Sequence, residues 1–259
     1  MCLIAFAYQQ HPEYSLIMVA NRDEFYARPT LDMHFWEDHP NVLAGIDLEQ
    51  RGTWLGVNKS GKLAAVTNFR DGKNTETNLK SRGFLTRRFL TEELPAKTYL
   101  QELDTHGNLY GGFNLLLGDR TGIYYCSNKG ATTHQIKPGI YGLSNAYLDS
   151  RWPKAEQAKH TLATIIKTNF SIASLASVLH CEHQARDEEL PDTGISYEWE
   201  KQLSACFINI DGYGTRATSV LLQKHSGETQ VAEFRFNPSG KVSEEHFTFF
   251  MDKIGSMPQ

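Results

Sequence analysis

Strand-like runs in this sequence arrive in pairs, and that pairing restricts the fold more than any other feature. Apolar runs at 3–8 and 15–20 flank the polar turn His11-Pro12-Glu13-Tyr14, and runs at 53–57 and 63–68 flank Asn58-Lys59-Ser60-Gly61. Residues 113–119 and 123–127 flank Arg120-Thr121-Gly122, while 217–222 and 229–236 flank a turn near His225-Ser226-Gly227-Glu228. Short turns join antiparallel neighbours, whereas a parallel sheet needs single strands alternating with crossover helices. Helical patterns fall between the pairs instead. They cover 80–93, with Phe84, Leu85, Phe89 and Leu90 on one stripe, 95–105 opened by Pro95, 153–167 opened by Trp152-Pro153, and 171–180. The order predicts an α+β layered fold with mostly antiparallel sheets. The first two runs do not alternate cleanly, so both faces of that hairpin are expected to be buried. Residues 30–50 and 181–197 show no period and are expected to be irregular, whereas 137–145 and 205–210 read as short strands. The 259 residues hold no linker or repeat, and the expectation is one domain, 1–259.

Charge and composition narrow the function. A net charge of -4 with no concentrated basic surface argues against a nucleic-acid partner. Lys80, Arg82, Arg87 and Arg88 form the most basic stretch, which reads as the solvated face of a helix. No apolar run reaches the roughly 18 residues of a membrane span, and residues 3–7 are too short for a signal-peptide core. A cytoplasmic protein with no integral membrane segment is the expectation. The composition sets no oligomeric state. The four cysteines form no CxxC pair, so neither a zinc site nor a disulfide scaffold is indicated. Cys126, Cys181 and Cys206 read as small buried hydrophobes. Cys2 differs by its position.

Removal of Met1 would make Cys2 the first residue, with an α-amine of pKa about 8 able to take the thiol proton. Arg22 and Asp23, at the end of the second run, are candidates to lower the thiol pKa and orient the amine. Asn68 and Asn145 end predicted strands, where an amide can face an oxyanion, and Arg216 is a further anion contact. Each has a plainer explanation: a residue after the start codon, a structural ion pair, turn-forming asparagines. Side chains alternate along a strand, which puts Asn21 and Asp23 on one face and Arg22 and Glu24 on the other.

Asn21-Arg22-Asp23-Glu24 is the tetrapeptide that names the NRDE family, also called the transport-and-Golgi-organisation family, which this chain resembles. Further matching stretches are Cys2, 52–56, 66–70, Ser81-Arg82-Gly83, 112–116, 142–145 with Trp152-Pro153, and Tyr213-Gly214-Thr215-Arg216. That family is in turn similar to the cysteine branch of the N-terminal-nucleophile hydrolases, such as penicillin V acylase. The resemblance implies a four-layer αββα sandwich with Cys2, Arg22, Asp23, Asn68, Asn145 and Arg216 as site residues. In the hydrolases, however, two residues separate the Arg from the Asp, and here the two are adjacent. The resemblance also implies haem trafficking, with haem as cargo in a cleft formed by Asn21, Arg22, Asp23, Glu24, Arg28, Asn68, Arg70, Asn145 and Arg216. The arginines suit haem propionates or the carboxylate or phosphate of a lipid-like ligand. Ten histidines and five methionines offer iron ligands, and their spacing selects none. A haem-binding trafficking protein is therefore the leading expectation. The alternative is an amidohydrolase that cleaves a C–N amide bond with Cys2 as nucleophile.

Overall fold

In the computed structural model, which describes residues 1–73, 79–130 and 133–252, β1 (Cys2–Tyr8) and β2 (Tyr14–Phe25) form the opening hairpin, with Cys2 opposite Arg22. There follow β3 (Thr30–Phe35), β4 (Val42–Asp47), β5 (Leu55–Asn58) and β6 (Leu63–Asn68), then helices α1 (Gly83–Thr91) and α2 (Ala96–His106). Strands β7 (Phe113–Asp119), β8 (Gly122–Ser127), β9 (His134–Gln135) and β10 (Gly139–Leu143) lead into α3 (Pro153–Ile165), α4 (Ile172–Ala176) and α5 (Tyr197–Gln202). The chain closes with β11 (Asn209–Ile210), β12 (Tyr213–Lys224), β13 (Glu228–Asn237) and β14 (Gly240–Phe250). The strands make two antiparallel sheets. One has the order β10-β1-β2-β12-β13-β14 with β11 beside β12, and the other runs from β3 to β9 in chain order.

Period-two alternation assembles the layers. On β1 and β2, Leu3, Ala5, Ile17 and Val19 pack with Ala158 and Leu162 of α3 and Leu175 of α4. Their neighbours Ile4, Phe6, Leu16 and Met18 face Leu43, Leu63, Ala65 and Leu116 of the other sheet. That second sheet turns Ala64, Val66, Leu115 and Leu117 outward onto Leu85 and Phe89 of α1 and Tyr99 of α2. The result is the αββα sandwich, whose strands bury both faces and so lack a clean alternation.

Several boundaries differ from the sequence reading. Residues 30–50, expected to be irregular, contain β3 and β4. β3 is a partly exposed edge strand whose register with β4 slips between Leu31 and His34, which erases the period. Of residues 205–210, only β11 is strand, and β12 begins at Tyr213 inside the expected loop. A bulge makes that extension possible: Asp23 stands opposite Thr215 and Arg22 opposite Ala217, which leaves Arg216 as the extra residue. Strands β9 and β14 were not signalled, and β2 continues through the whole Asn21–Glu24 stretch. No helix among the described residues is long and apolar enough to cross a membrane.

The polar connection after α4, expected to be irregular, ends in α5, with Ser196 as its cap. One buried pair anchors it. Arg70 donates to Glu200, Glu200 also accepts from the backbone N–H of Thr193 at 2.9 Å, and the Arg70 guanidinium lies 4.6 Å from the Trp152 ring. A second anchor is steric: a Cβ on Gly52 would stand 2.5 Å from the Gly83 carbonyl carbon. Thr53 N–H donates to the Gly83 carbonyl at 3.1 Å, fixing the first turn of α1 over the β4–β5 connection.

Two stability measurements by urea unfolding check these anchors. Gly52→Ala is expected to cost about 1–3 kcal/mol, because the obstructing atoms are backbone and do not yield. Arg70→Met is expected to cost about 3–5 kcal/mol by stranding Glu200, and Arg70→Met with Glu200→Leu to recover most of it. A double variant no more stable than the single one would refute the pairing account.

Candidate functional site

The ends of five elements enclose a cleft of about 440 Å³ where β1 starts and β2 ends. Cys2, Arg22 and Glu24 come from the inter-sheet face of the first hairpin, Asp47 from the end of β4, Asn68 from the end of β6, and Arg82 from the cap of α1. Trp54, Val66 and Leu79 supply its apolar wall, and Arg28 and Lys80 add positive charge. The volume falls in the range of about 300–1,000 Å³ usual for small-molecule sites.

Arg22 is 6% exposed and lies over the Trp54 ring, its guanidinium carbon 4.4 Å from the centroid. Its Nη2 reaches Asp47 at 3.3 Å and Glu24 at 3.7 Å, while Nη1 has no partner. Arg28 donates from Nε to the same Asp47 oxygen at 2.6 Å and also pairs with Glu49. Burial opposes ionisation of Asp47, but the hydrogen bonds from Arg28 and from the backbone N–H of Gln50 hold its carboxyl below the usual carboxylate range. Burial likewise lowers the pKa of Arg22, against its carboxylate neighbours.

Cys2, 8% exposed, lies at the cleft floor. Burial pushes its pKa up; the N-terminal ammonium opposes the shift, Asp23 adds to it, and Arg22 opposes it. At neutral pH the sulfur is a thiol. Met1 prolongs the strand by one residue: its carbonyl accepts from Asp23 N–H at 2.7 Å, and its ammonium donates to the Asp23 carbonyl and to the Tyr213 hydroxyl. Ser144 donates to the Cys2 carbonyl at 3.2 Å, which holds the start of β1 to the loop after β10.

Asn21 and Asp23 leave β2 on the other face, as alternation requires. Asn21 donates to the carbonyls of Leu179 and Cys206 and accepts from Thr218, so its amide is fully used. Asp23 accepts from Thr215 Oγ1 at 2.7 Å through one carboxylate oxygen, and the other has no partner. Burial raises its pKa, and nearby Lys154 partly offsets this. Lys154 is itself buried, donates to the Leu203 carbonyl, and is pushed down to about 8.

Of the residues singled out from the sequence, Cys2, Arg22, Glu24, Arg28 and Asn68 line the cleft. Asn21, Asp23 and Arg70 present their side chains to the helix-side layer. Asn145 acts at one remove, donating to the Asn68 carbonyl and accepting from Ser144. Arg216, at the bulge, donates to the carbonyls of Phe25 and Arg28. Asp47, Trp54, Lys80 and Arg82 were not assigned to the site, although Trp54 and Arg82 stand in stretches that carried the family resemblance. No histidine lines the cleft, and no cluster of His, Cys, Asp or Glu fit for a metal occurs among the described residues. A cavity of about 520 Å³ lies at the opposite, turn-bearing end near Tyr8, Asn58 and Gly227 and contains none of the candidate residues.

The family model described as "Transport and Golgi organisation 2" matches residues 1–238. The human transport and Golgi organization protein 2 homolog is 34% identical over 255 residues, covering 90% of this chain and 92% of its own. The Drosophila melanogaster transport and Golgi organization protein 2 is 28% identical over 277 residues, covering 95% and 97%. Among solved structures, the Caenorhabditis elegans ortholog of N-acylethanolamine-hydrolyzing acid amidase superposes with a TM-score of 0.51 at 10% identity, covering 85% of this chain and 92% of that one. The C2A mutant of the conjugated bile acid hydrolase from Clostridium perfringens gives 0.50 at 10% identity, covering 100% and 99%. Both share the N-terminal-nucleophile hydrolase fold. The chain belongs to the transport and Golgi organisation 2 family, the NRDE family of its signature tetrapeptide, on an N-terminal-nucleophile-hydrolase-like scaffold.

Proposed function

We propose that the cleft binds and carries an anionic amphipathic ligand, with haem as the cargo, and does not cleave it while Met1 is in place. The observation that carries this reading is the lining itself: a thiol on the floor, an apolar wall, and four cationic side chains against the carboxylates of Glu24 and Asp47. The residues present fit haem. Cationic groups suit the propionates, and the sulfur of Cys2 is a donor type that holds haem iron once deprotonated. Hydrolysis lacks its base in this arrangement. The terminal ammonium belongs to residue 1 and is engaged by Asp23 and Tyr213, and no histidine stands beside the thiol.

A second reading, amide hydrolysis, has one specific observation in its favour. The free carboxylate oxygen of Asp23 is buried close to the chain start, and an ammonium on Cys2 after loss of Met1 would supply the missing donor. In that form the thiol would attack the amide carbonyl and pass its proton through the amine to the leaving nitrogen. The acyl group would stay on Cys2 until water released it. The two solved hydrolases of similar fold support this reading at the level of the scaffold.

Haemin titration followed by absorbance, combined with intact mass, separates the two. The wild type is expected to shift the Soret band, and Cys2→Ala to lose the thiolate-type spectrum. Absence of any shift in the wild type would sink the haem reading. A native mass lacking Met1, together with a trapped acyl group on Cys2, would favour hydrolysis. A pH series adds a check: because burial raises the Cys2 pKa, its alkylation by iodoacetamide is expected to climb about tenfold per pH unit, with no plateau between pH 7 and about 8.5.

A further inference from the structure

The cations on the β2 side of the cleft are committed to internal partners, and those on the α1 side have no carboxylate partner among the described residues. Arg22 and Arg28 share Asp47 and Glu24, Arg216 holds two carbonyls, and Arg70 holds Glu200. Toward the described residues Arg82 uses its Nε, which donates to the Gly112 carbonyl at 2.9 Å. Neither Arg82 nor Lys80 has a carboxylate partner among the described residues.

The surroundings of Arg82 are shaped for this. Gly111 leaves room for the guanidinium: a Cβ there would stand 2.7 Å from Nη2. Arg82 is also the cap of α1, a nine-residue helix with no acidic residue in its first turn and no side chain bonded to its end. Ser81, Arg82 and Gly83 all line the cleft, so the positive end of the helix dipole faces the same space. On the opposite wall Arg22 is 6% exposed and its Nη1 is sealed from solvent, so it adds positive charge to the cleft and no open donor.

We propose that Arg82 and Lys80, beside the N-terminus of α1, form an oxyanion subsite. It takes the carboxylate or phosphate head group of an amphipathic ligand whose apolar part lies against Trp54, Val66 and Leu79. The inference rests on the cleft being a ligand site and does not require the ligand to be haem. Arg82 becomes the residue that sets specificity for a charged head, whereas the sequence assigns the anion contact to Arg22, Arg28, Arg70 and Arg216.

Calorimetry with decanoate, decyl phosphate and decanol tests it, since the three share a tail and differ in the head. The wild type is expected to bind at least one anionic probe about tenfold more tightly than decanol, and more weakly as salt rises. The preferred anion identifies carboxylate or phosphate as the source. Arg82→Gln and Lys80→Ala should each reduce that preference several-fold and leave decanol binding unchanged. Lys80 is exposed, so its variant separates loss of charge from loss of fold. Wild-type binding without charge preference, no binding of any probe, or folded variants that bind like wild type would each overturn the subsite. Haemin run in parallel keeps the readings distinct. Haemin binding by the wild type alongside decyl probes that show no dependence on Arg82 or Lys80 removes the subsite and spares the haem reading. Failure of haemin alongside Arg82-dependent binding of a decyl probe does the reverse.

Discussion

The site depends on one geometric constraint: β2 is an interior strand buried on both faces, so its polar residues must alternate between two separate polar environments. Asn21 and Asp23 enter the helix-side layer, where threonine hydroxyls and carbonyls receive them. Arg22 and Glu24 enter the gap between the sheets, where the other sheet supplies Asp47. Leaving a charge unpaired in either layer would cost several kcal/mol. Each side therefore carries its own compensation, and the cleft is the place where the inter-sheet compensation remains incomplete.

That division explains the electrostatic character of the two sides. The helix-side cluster of Asp23, Lys154, Arg70, Glu200 and Tyr213 is largely closed to solvent, with Arg70 paired to Glu200 and Asp23 held by Thr215, a structural use of charge. The inter-sheet side opens at its end and carries more positive than negative groups. Cys2 belongs to the open side because it pairs with Arg22 across the hairpin. Its side chain thus borders the cleft, while burial keeps the thiol protonated.

Much of the fold was legible because turns and hairpins are local. Asn58-Lys59-Ser60-Gly61 and Arg120-Thr121-Gly122 announce themselves within a few residues, and their flanking runs follow. β3 and β4 were not legible, because an irregular register spoils the period and the pairing is stabilised by packing elsewhere. α5 is short and capped by a lone serine, a weak signal beside the acidic residues before it. Among site residues, alternation correctly separated Arg22 and Glu24 from Asn21 and Asp23. It gave no access to Asp47, Lys80 or Arg82, which reach the cleft from other elements through the packing of α1 on the second sheet. The arginines chosen by proximity to motifs illustrate the same point: Arg70 and Arg216 turn out to serve Glu200 and backbone carbonyls.

The bulge at Arg216 has a consequence for how this chain tolerates change in length. Thr215 and Thr218 are three positions apart, which on a regular strand would send them to opposite faces. The extra residue between them lets Thr215 serve Asp23 and Thr218 serve Asn21 from the same side. Loss of a single residue here would rotate Tyr213 and Thr215 into the inter-sheet gap, away from Met1 and Asp23, while everything beyond Ala217 stayed in place. Substitutions along β12 are graded in their effect, but its residue count is not negotiable. The spacing between the Tyr-Gly-Thr-Arg stretch and the strand that follows is in this sense a ruler that keeps the two polar faces of β2 from being exchanged.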